Sequence, residues 1–467
     1  MSSAAKQRGL APEANHRRVL AVASAAATVV TLILTVATAQ LPLFDSSPSV
    51  VLPPPKDGRF SLRHALASAV LRWDAFHFVP IAKEGYTYEN QWAFFPGTPF
   101  VIRIVGKLVD AAFSFLGAHP APGWEGILLG SMISPVFSVL SVLRLYDLSL
   151  VHLNSCNAAF LAALLSLLPS SPVTLRLAGY SEPFFTYLSY TGMLFCARRQ
   201  WLFAACSFMA ACTFRSNGIF LAGFILWGML VEPVLNRQKV RISIWRAVYA
   251  FLLSALTISP FVYFQYSAFQ IFCADADEPA PWCSAFLPSI YTHVQSKYWN
   301  GGFMRYWIVS QIPNFVLAVP PLTLLFGFTS YYLRAALLPR LLDPFLGYSS
   351  RTVRISAPEN NESGRKVDSQ VDDAHNRSRP GAPLTLTPFL NPSIAPHAIH
   401  ALLMSLLLLF ASHTQIVLRQ AASMPVLYWA AAWLLVEHPA VGRWWVGWSV
   451  AWGATSCVLW AAFLPPA

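Results

Sequence analysis

The sequence predicts an all-α membrane protein whose helices cross the bilayer several times. Of its 467 residues, 55% are hydrophobic and only 11% are charged, whereas soluble domains carry about 25% charged residues. Apolar runs long enough for helices recur along most of the chain, and the mean hydropathy is +0.49. The 35 prolines and 16 tryptophans fit broken helices and anchoring at the membrane surface.

The net charge of +11 is explained by membrane topology, and we expect no nucleic-acid partner. Lys and Arg are concentrated in a few connectors, as is typical of cytoplasmic loops. No repeat of fixed period is evident in the sequence, which argues against a transporter built from duplicated halves.

The N-terminal region consists of a polar segment, 1–18, and an apolar run, 19–43. The run is too long for the apolar core of a cleaved signal peptide, so we expect an uncleaved anchor with 1–18 in the cytoplasm. A large first lumenal loop, 44–125, follows. Within it, 93–116 carries prolines and charges, and we expect this segment to be interfacial or re-entrant and to stay on the same side of the membrane.

Ten further spans are predicted after this loop, which gives about eleven transmembrane helices and a C-terminus outside the cytoplasm. Several of them are short for a bilayer and indicate packed or broken helices. The spans are roughly 126–147, 155–172, 181–197, 200–214, 217–235, 247–270, 305–332, 397–412, 420–437 and 443–463. This topology places the basic connectors around Arg198 and Arg241 in the cytoplasm and the acidic loop around Asp277 outside, as the positive-inside rule requires.

The chain therefore divides at one long polar loop. Residues 19–332 form a transmembrane module that includes the first lumenal loop, 333–396 is a disordered cytoplasmic loop, and 397–467 supplies the last transmembrane helices. The loop contains two glycosylation sequons, at Asn361 and Asn376, which should stay unmodified in the cytoplasm.

The seven cysteines predict no metal site, because no CxxC spacing is present. Five of them lie in apolar runs and are most simply small core residues. Cys273 and Cys283 share one polar loop, and in an oxidising lumen they could form a disulfide.

Five polar clusters fall on the same side of the membrane in this topology. Each alone is explained as well by a solvated loop or a structural hydrogen bond, but their convergence on one face indicates a site. The candidate residues are Trp73, Asp74, Glu89, Glu182, Arg215, Asn217, Trp299, Asn300, Arg305, Gln311, His413, Gln415 and Arg419.

These residue types predict transfer from an anionic lipid carrier. Asp74 or Glu89 would act as the catalytic base, and the residues alone do not decide between them. Arginines at membrane depth suit a phosphate group through paired, charge-assisted hydrogen bonds; they are Arg215, Arg305 and Arg419. Aromatic rings suit the faces of sugars and lipid tails.

Three stretches resemble the PIG-V mannosyltransferase family: 73–96, 299–315 and 415–429. They contain Trp-Asp-Ala and Ala-Phe-Phe-Pro in the first stretch, Trp-Asn-Gly-Gly-Phe-Met-Arg-Tyr-Trp in the second, and Gln-Ile followed by Arg in the third. The resemblance covers nearly the whole chain apart from its first residues and 333–396.

The resemblance implies a GT-C glycosyltransferase fold, in which the first lumenal loop carries the catalytic acidic residue. It also implies an enzyme of the endoplasmic reticulum membrane that takes mannose from dolichyl-phosphate-mannose, with no cofactor. The acceptor would be a GPI-anchor precursor that already bears one mannose, and the new bond would be α-1,6. The expected partners are these two lipids and the membrane, and an accessory membrane subunit is a further possible partner.

The mechanism expected from the resemblance and the residues is a displacement with inversion, in which Asp74 accepts the acceptor's proton and arginines stabilise the leaving phosphate. Three alternatives stay open at this stage. One is another dolichyl-phosphate-sugar transferase that acts on N-glycan precursors or proteins. The others are a lipid-linked sugar flippase, against which the one-sided polar residues argue, and a non-catalytic subunit.

Overall fold

The computed structural model describes residues 12–42, 44, 62–117, 130–236, 243–274, 278–346 and 387–464. Within these ranges all regular secondary structure is helical, which confirms the predicted all-α class. The helices are α1 (Pro12–Thr38), α2 (Leu62–Val70), α3 (Ala75–Glu84), α4 (Gly97–Phe115), α5 (Ser134–Leu153), α6 (Cys156–Leu165), α7 (Pro172–Arg176), α8 (Glu182–Ala197), α9 (Trp201–Cys212), α10 (Ser216–Leu235), α11 (Ile244–Ala274), α12 (Ile290–Trp299), α13 (Val309–Leu342), α14 (Ala395–Phe410), α15 (Val417–Gln420), α16 (Pro425–Glu437) and α17 (Pro439–Ala462).

Six of the described helices are long and apolar enough to cross a membrane, which makes the chain a multi-pass membrane protein. They are α1, α5, α10, α11, α13 and α14, the last counted with the turn that begins at Pro392. The other predicted spans coincide with helices α6, α8, α9, α16 and α17. Most of these are shorter than the 20 or so residues that a bilayer requires, so the total of about eleven spans stays a prediction.

The helices pack closely because small residues line their contacts. Gly192 of α8 lies against the ring of Phe208 in α9, where an added Cβ would come within 2.3 Å of the ring. Ala204 and Ala211 of α9 are fully buried. Large apolar residues such as Phe251 and Leu252 of α11 are instead exposed. This distribution is expected of a bundle that packs through small residues and presents large ones to lipid.

Helix α4 lies within the segment that we expect in the membrane interface. Phe100, Ile104 and Leu108 are exposed and, at four-residue spacing, share one face of the helix. Arg103 is exposed beside them. A helix with an apolar stripe flanked by basic residues is typical of the membrane surface. Helix α4 is not among the six long apolar helices, and its position in the interface stays a prediction.

Two segments that were expected to be polar or disordered are partly helical. Helix α1 begins at Pro12, inside the polar segment 1–18. The helix that contains α13 continues to Leu346, because leucines at helical spacing continue past its charged residues. The first part of the predicted loop 333–396 is therefore ordered, and 347–386, with both sequons, lies outside the described residues.

Candidate active site

A cavity of about 470 Å³ lies between α3, α10, α12 and the chain that joins α14 to α16. Six of the thirteen residues predicted from sequence line it. They are Asp74, Arg215, Asn217, Trp299, His413 and Arg419. Elements that are up to 345 residues apart in the chain thus bring a carboxylate, two arginines and aromatic rings to one opening.

The turn before α3 holds Asp74 at the cavity wall. Trp73 has a φ of 55°, a left-handed conformation that is uncommon for a residue other than glycine. Its indole Nε1–H donates to the carbonyl oxygen of Trp460 in α17 at 3.0 Å. The backbone N–H of Asp74 donates to the hydroxyl of Tyr180 at 2.9 Å. Two neighbouring segments therefore fix this strained turn, and strain of this kind is often found at functional sites.

The Asp74 carboxylate is directed to the cavity and does not cap its helix. An aspartate immediately before a helix usually accepts a hydrogen bond from a backbone N–H of the first turn, but Asp74 makes no such bond. Its Oδ2 instead accepts a hydrogen bond from Nη1 of Arg419 at 2.7 Å. The side chain is 32% exposed, and Arg419 is its only side-chain hydrogen-bond partner among the described residues. The carboxylate is therefore accessible to a ligand in the cavity.

A second carboxylate, Glu182, contacts both cavity arginines without lining the cavity itself. Its Oε1 accepts a hydrogen bond from Nη1 of Arg215 and lies 3.3 Å from Nε of Arg419. Glu182 is only 2% exposed and begins α8, where a negative charge is favoured by the helix dipole. With Asp74, the four groups carry two negative and two positive charges. We call them the charge quartet: Asp74, Glu182, Arg215 and Arg419.

Tyr180 is a member of this site that sequence reasoning did not select. Its hydroxyl accepts the Asp74 N–H, and the guanidinium carbon of Arg419 lies 5.6 Å from the centre of its ring. A guanidinium at this distance over a tyrosine face is attracted by the ring. The signal was its place in the polar sequence Gly-Tyr-Ser-Glu, next to Glu182.

Arg215 is positioned by a close approach between α4 and the segment before α10. The N–H of Gly97 donates to the carbonyl oxygen of Thr213 at 2.8 Å. A Cβ at Gly97 would lie 2.8 Å from Cγ of Phe214, so only glycine allows this contact without displacement. The start of the interfacial helix α4 is thereby joined to the residues that carry Arg215.

Hydroxyl groups and rings form the wall near α12. Ser216 Oγ donates to the hydroxyl of Tyr291 at 2.8 Å. The His413 ring nitrogen Nε2 bonds to the carbonyl oxygen of Trp299, and the ring stacks on Tyr306 with centroids 4.6 Å apart. Such a mixture of ring faces and hydroxyl groups is suited to a sugar.

The cavity lining also contains apolar residues of α10 and of the chain from α14 to α15; they are Ile219, Phe220, Met404, Leu407, Leu408, Ala411 and Ile416. Because the lining combines charged and polar groups with apolar side chains, the cavity matches an amphipathic ligand with a polar head and a hydrocarbon tail.

Glu89 lies outside the cavity lining and is held in a separate ionic cluster. Its carboxylate accepts hydrogen bonds from Lys297 Nζ at 2.7 Å and from the Tyr298 hydroxyl at 2.8 Å, and His293 Nε2 lies 3.1 Å away. Burial alone would raise the pKa of Glu89, but the hydrogen bonds and positive charges outweigh it and lower this pKa. The cluster fastens α12 to the turn that begins at Glu89.

Several other residues predicted at the site support the loop between α12 and α13 without lining the cavity. Asn300 ends α12 in a left-handed conformation, with a φ of 50°. Arg305 donates to Ser296 Oγ. Gln311 accepts a hydrogen bond from Asn314 Nδ2 at 2.6 Å, and Gln415 accepts one from the Tyr306 hydroxyl, also at 2.6 Å. Trp73 and Glu182 likewise do not line the cavity; Trp73 precedes Asp74 in the turn, and Glu182 contacts both arginines.

A disulfide joins Cys273 and Cys283, whose Cα atoms are 5.6 Å apart. Both cysteines pack against the aromatic cluster that contains Trp92 and Trp282, beside α12. Among the described residues, no group of three or more His, Cys, Asp or Glu side chains is arranged to hold a metal ion.

Comparison with known proteins gives a consistent result. Residues 20–467 match the family described as "Mannosyltransferase (PIG-V)". The chain is 34% identical to "GPI mannosyltransferase 2" of Cryptococcus neoformans, over 91% of this chain and 93% of that protein. It is 31% identical to "GPI alpha-1,6-mannosyltransferase 2" of Rattus norvegicus, over 82% and 76%, and 28% identical to the Homo sapiens protein of the same name, over the same shares. No solved structure matches the chain.

Proposed function

The chain belongs to the PIG-V family of mannosyltransferases, and on that premise we propose that it transfers the second mannose, in α-1,6 linkage, to a GPI-anchor precursor. The donor is dolichyl-phosphate-mannose, and the reaction takes place on the lumenal side of the endoplasmic reticulum membrane. The names of the relatives support the acceptor and the linkage. The amphipathic cavity supports two substrates that are both lipid-linked sugars.

The observation that carries this proposal is the meeting of Asp74, Arg215 and Arg419 in one cavity. The carboxylate can accept a proton from the primary hydroxyl of the acceptor. An aspartate is a weak base at neutral pH, so its contribution depends on its position and on a hydroxyl proton that becomes more acidic as the bond forms. Glu89 is less suited to this role because it is outside the cavity and already paired with Lys297.

The two arginines act on the leaving group. In the displacement, the acceptor oxygen bonds to the anomeric carbon of mannose while the bond from that carbon to the phosphate oxygen breaks, with inversion. The proton moves to Asp74, and the electron pair leaves on dolichyl phosphate. Arg419 and Arg215 stabilise this developing anion by charge-assisted hydrogen bonds. Both are held by Glu182 before the substrate arrives, so little reorganisation is needed.

The lining of the cavity supports a placement for the remaining parts of the donor, because it contains both rings and apolar side chains. In this placement the rings of Trp299 and Tyr291 contact the sugar, and the apolar residues around Met404 and Leu408 contact the first units of the polyprenyl chain.

Depletion of the protein tests the acceptor. We expect a GPI precursor with one mannose to accumulate, and we expect re-expression of the wild-type chain to restore the two-mannose product. The same cells should show normal N-glycan precursors, which serves as the internal control. Accumulation of a truncated N-glycan precursor with normal GPI lipids would contradict the proposal and favour another dolichyl-phosphate-sugar transferase.

A further inference from the structure

The geometry of the charge quartet points to a base that is switched on by its own donor. We infer that the donor phosphate takes Arg419 from Asp74, so that Asp74 is free to accept a proton only after the donor has bound. This inference rests on the proposed function and adds to it an order of binding and a reason for that order.

The charge quartet is electrically balanced. Asp74 is paired with Arg419 at 2.7 Å, and Glu182 is paired with both arginines. A donor phosphodiester brings one further negative charge into the cavity. The two guanidiniums then face three anions, so the phosphate competes with the two carboxylates for their charge and their hydrogen bonds.

Asp74 is the partner that can be exchanged. The Glu182 side chain is 3% exposed and does not line the cavity, so releasing it would leave a buried, unpaired charge. The Asp74 side chain is 32% exposed and lines the cavity, so water can solvate it after release. Arg419 is held from behind by Glu182 and by the ring of Tyr180, which keeps it in place while its cavity-side partner changes.

The exchange changes the chemistry of Asp74 in the direction that transfer requires. While Nη1 of Arg419 donates to Oδ2 of Asp74, that oxygen is occupied. With the phosphate on Arg419, Oδ2 loses this donor and can accept the hydroxyl hydrogen of the acceptor instead. An acceptor that binds before the donor thus meets a carboxylate that is still paired, and its hydroxyl keeps its proton.

Binding of dolichyl monophosphate to the full-length protein in lipid nanodiscs tests this competition without any transfer. If Asp74 competes with the phosphate for Arg419, Asp74→Asn should bind dolichyl monophosphate more tightly than the wild type. We expect about a fivefold gain, which corresponds to about 1 kcal/mol and is the value of a partly exposed ion pair. Arg419→Gln should bind it about tenfold more weakly. Asp74→Ser provides a second variant without the charge.

Glu89→Gln is the matched control, because it also removes one negative charge but from the cluster outside the cavity. Its affinity for dolichyl monophosphate should equal that of the wild type. Equal or weaker binding in both Asp74 variants, with weaker binding in Arg419→Gln, would overturn the competition. A gain of equal size in Glu89→Gln would also overturn it, since the effect would then be one of overall charge.

The same preparations distinguish this inference from the proposed function. Mannose transfer by the wild type, combined with unchanged binding in the Asp74 variants, would refute the exchange and leave the enzyme assignment standing. A wild type that neither transfers mannose nor binds dolichyl monophosphate would refute both.

Discussion

Substitution of Glu182 by glutamine removes the carboxylate that the two cavity arginines share. Glu182 is 3% exposed on its side chain, and its partners Arg215 and Arg419 are 17% and 13% exposed. Breaking a buried ion pair by removing one partner costs roughly 3–5 kcal/mol, because the other charge stays buried without compensation. Since Arg419 keeps Asp74 as a partner, we expect a loss near the lower limit, about 3 kcal/mol.

The assay is thermal unfolding of the full-length protein in detergent, followed by donor kinetics on the same samples. Glu182→Gln should lower the apparent Tm and raise the KM for the donor, because both guanidiniums lose their fixed position. Glu89→Gln is the control: its partner Lys297 is 50% exposed, and such pairs contribute about 0–1 kcal/mol. A Glu182→Gln protein as stable as Glu89→Gln, with an unchanged donor KM, would refute the view that Glu182 supports the arginines.

Three further predictions concern other parts of the site. Arg215→Lys should raise the donor KM and lower kcat, with a loss of about tenfold in kcat/KM, because lysine lacks the fork that binds phosphate through two bonds as the charge develops. Arg305→Lys, outside the cavity, should change neither parameter, and equal effects of the two substitutions in steady-state kinetics would contradict the assignment. The pKa of Glu89 is lowered from 4.5, so its pair with Lys297 should stabilise the protein at neutral pH, and this stabilisation should disappear as the pH falls below that value. The Tm difference between wild type and Glu89→Gln should therefore shrink in acid, and a difference that grows in acid would refute the prediction. Cys283→Ser should destabilise the protein by about 2.7 kcal/mol, the value expected for closing a loop of this length, and a reductant should lower the Tm of the wild type but not of the variant.

The helices were predictable from the sequence because each is encoded locally. Apolar runs of sufficient length specify them regardless of what they pack against. At the start of 333–396, where charged residues suggested a loop, the helix continues to Leu346. Charge alone does not end a helix when apolar residues keep their helical spacing.

The residue types of the site were predictable from the sequence, but the ion pairs that these residues form were not. Asp74 and Glu89 look alike in the sequence, since each is a carboxylate among aromatic residues. Their roles separate only through tertiary contacts, because Lys297 and Arg419 lie far along the chain from their partners. Tyr180 was overlooked for the same reason, since its function depends on Asp74 and Arg419 lying beside its ring and hydroxyl.

An assay of mannose transfer by the Asp74→Asn variant tests the central claim most directly. Microsomes that contain equal amounts of wild-type or variant protein are supplied with dolichyl-phosphate-mannose and the GPI precursor that bears one mannose. Asp74 as the base predicts the two-mannose product from the wild type and its loss by at least about a hundredfold in the variant, the usual contribution of a positioned base. Full activity of Asp74→Asn at normal protein level would contradict the account.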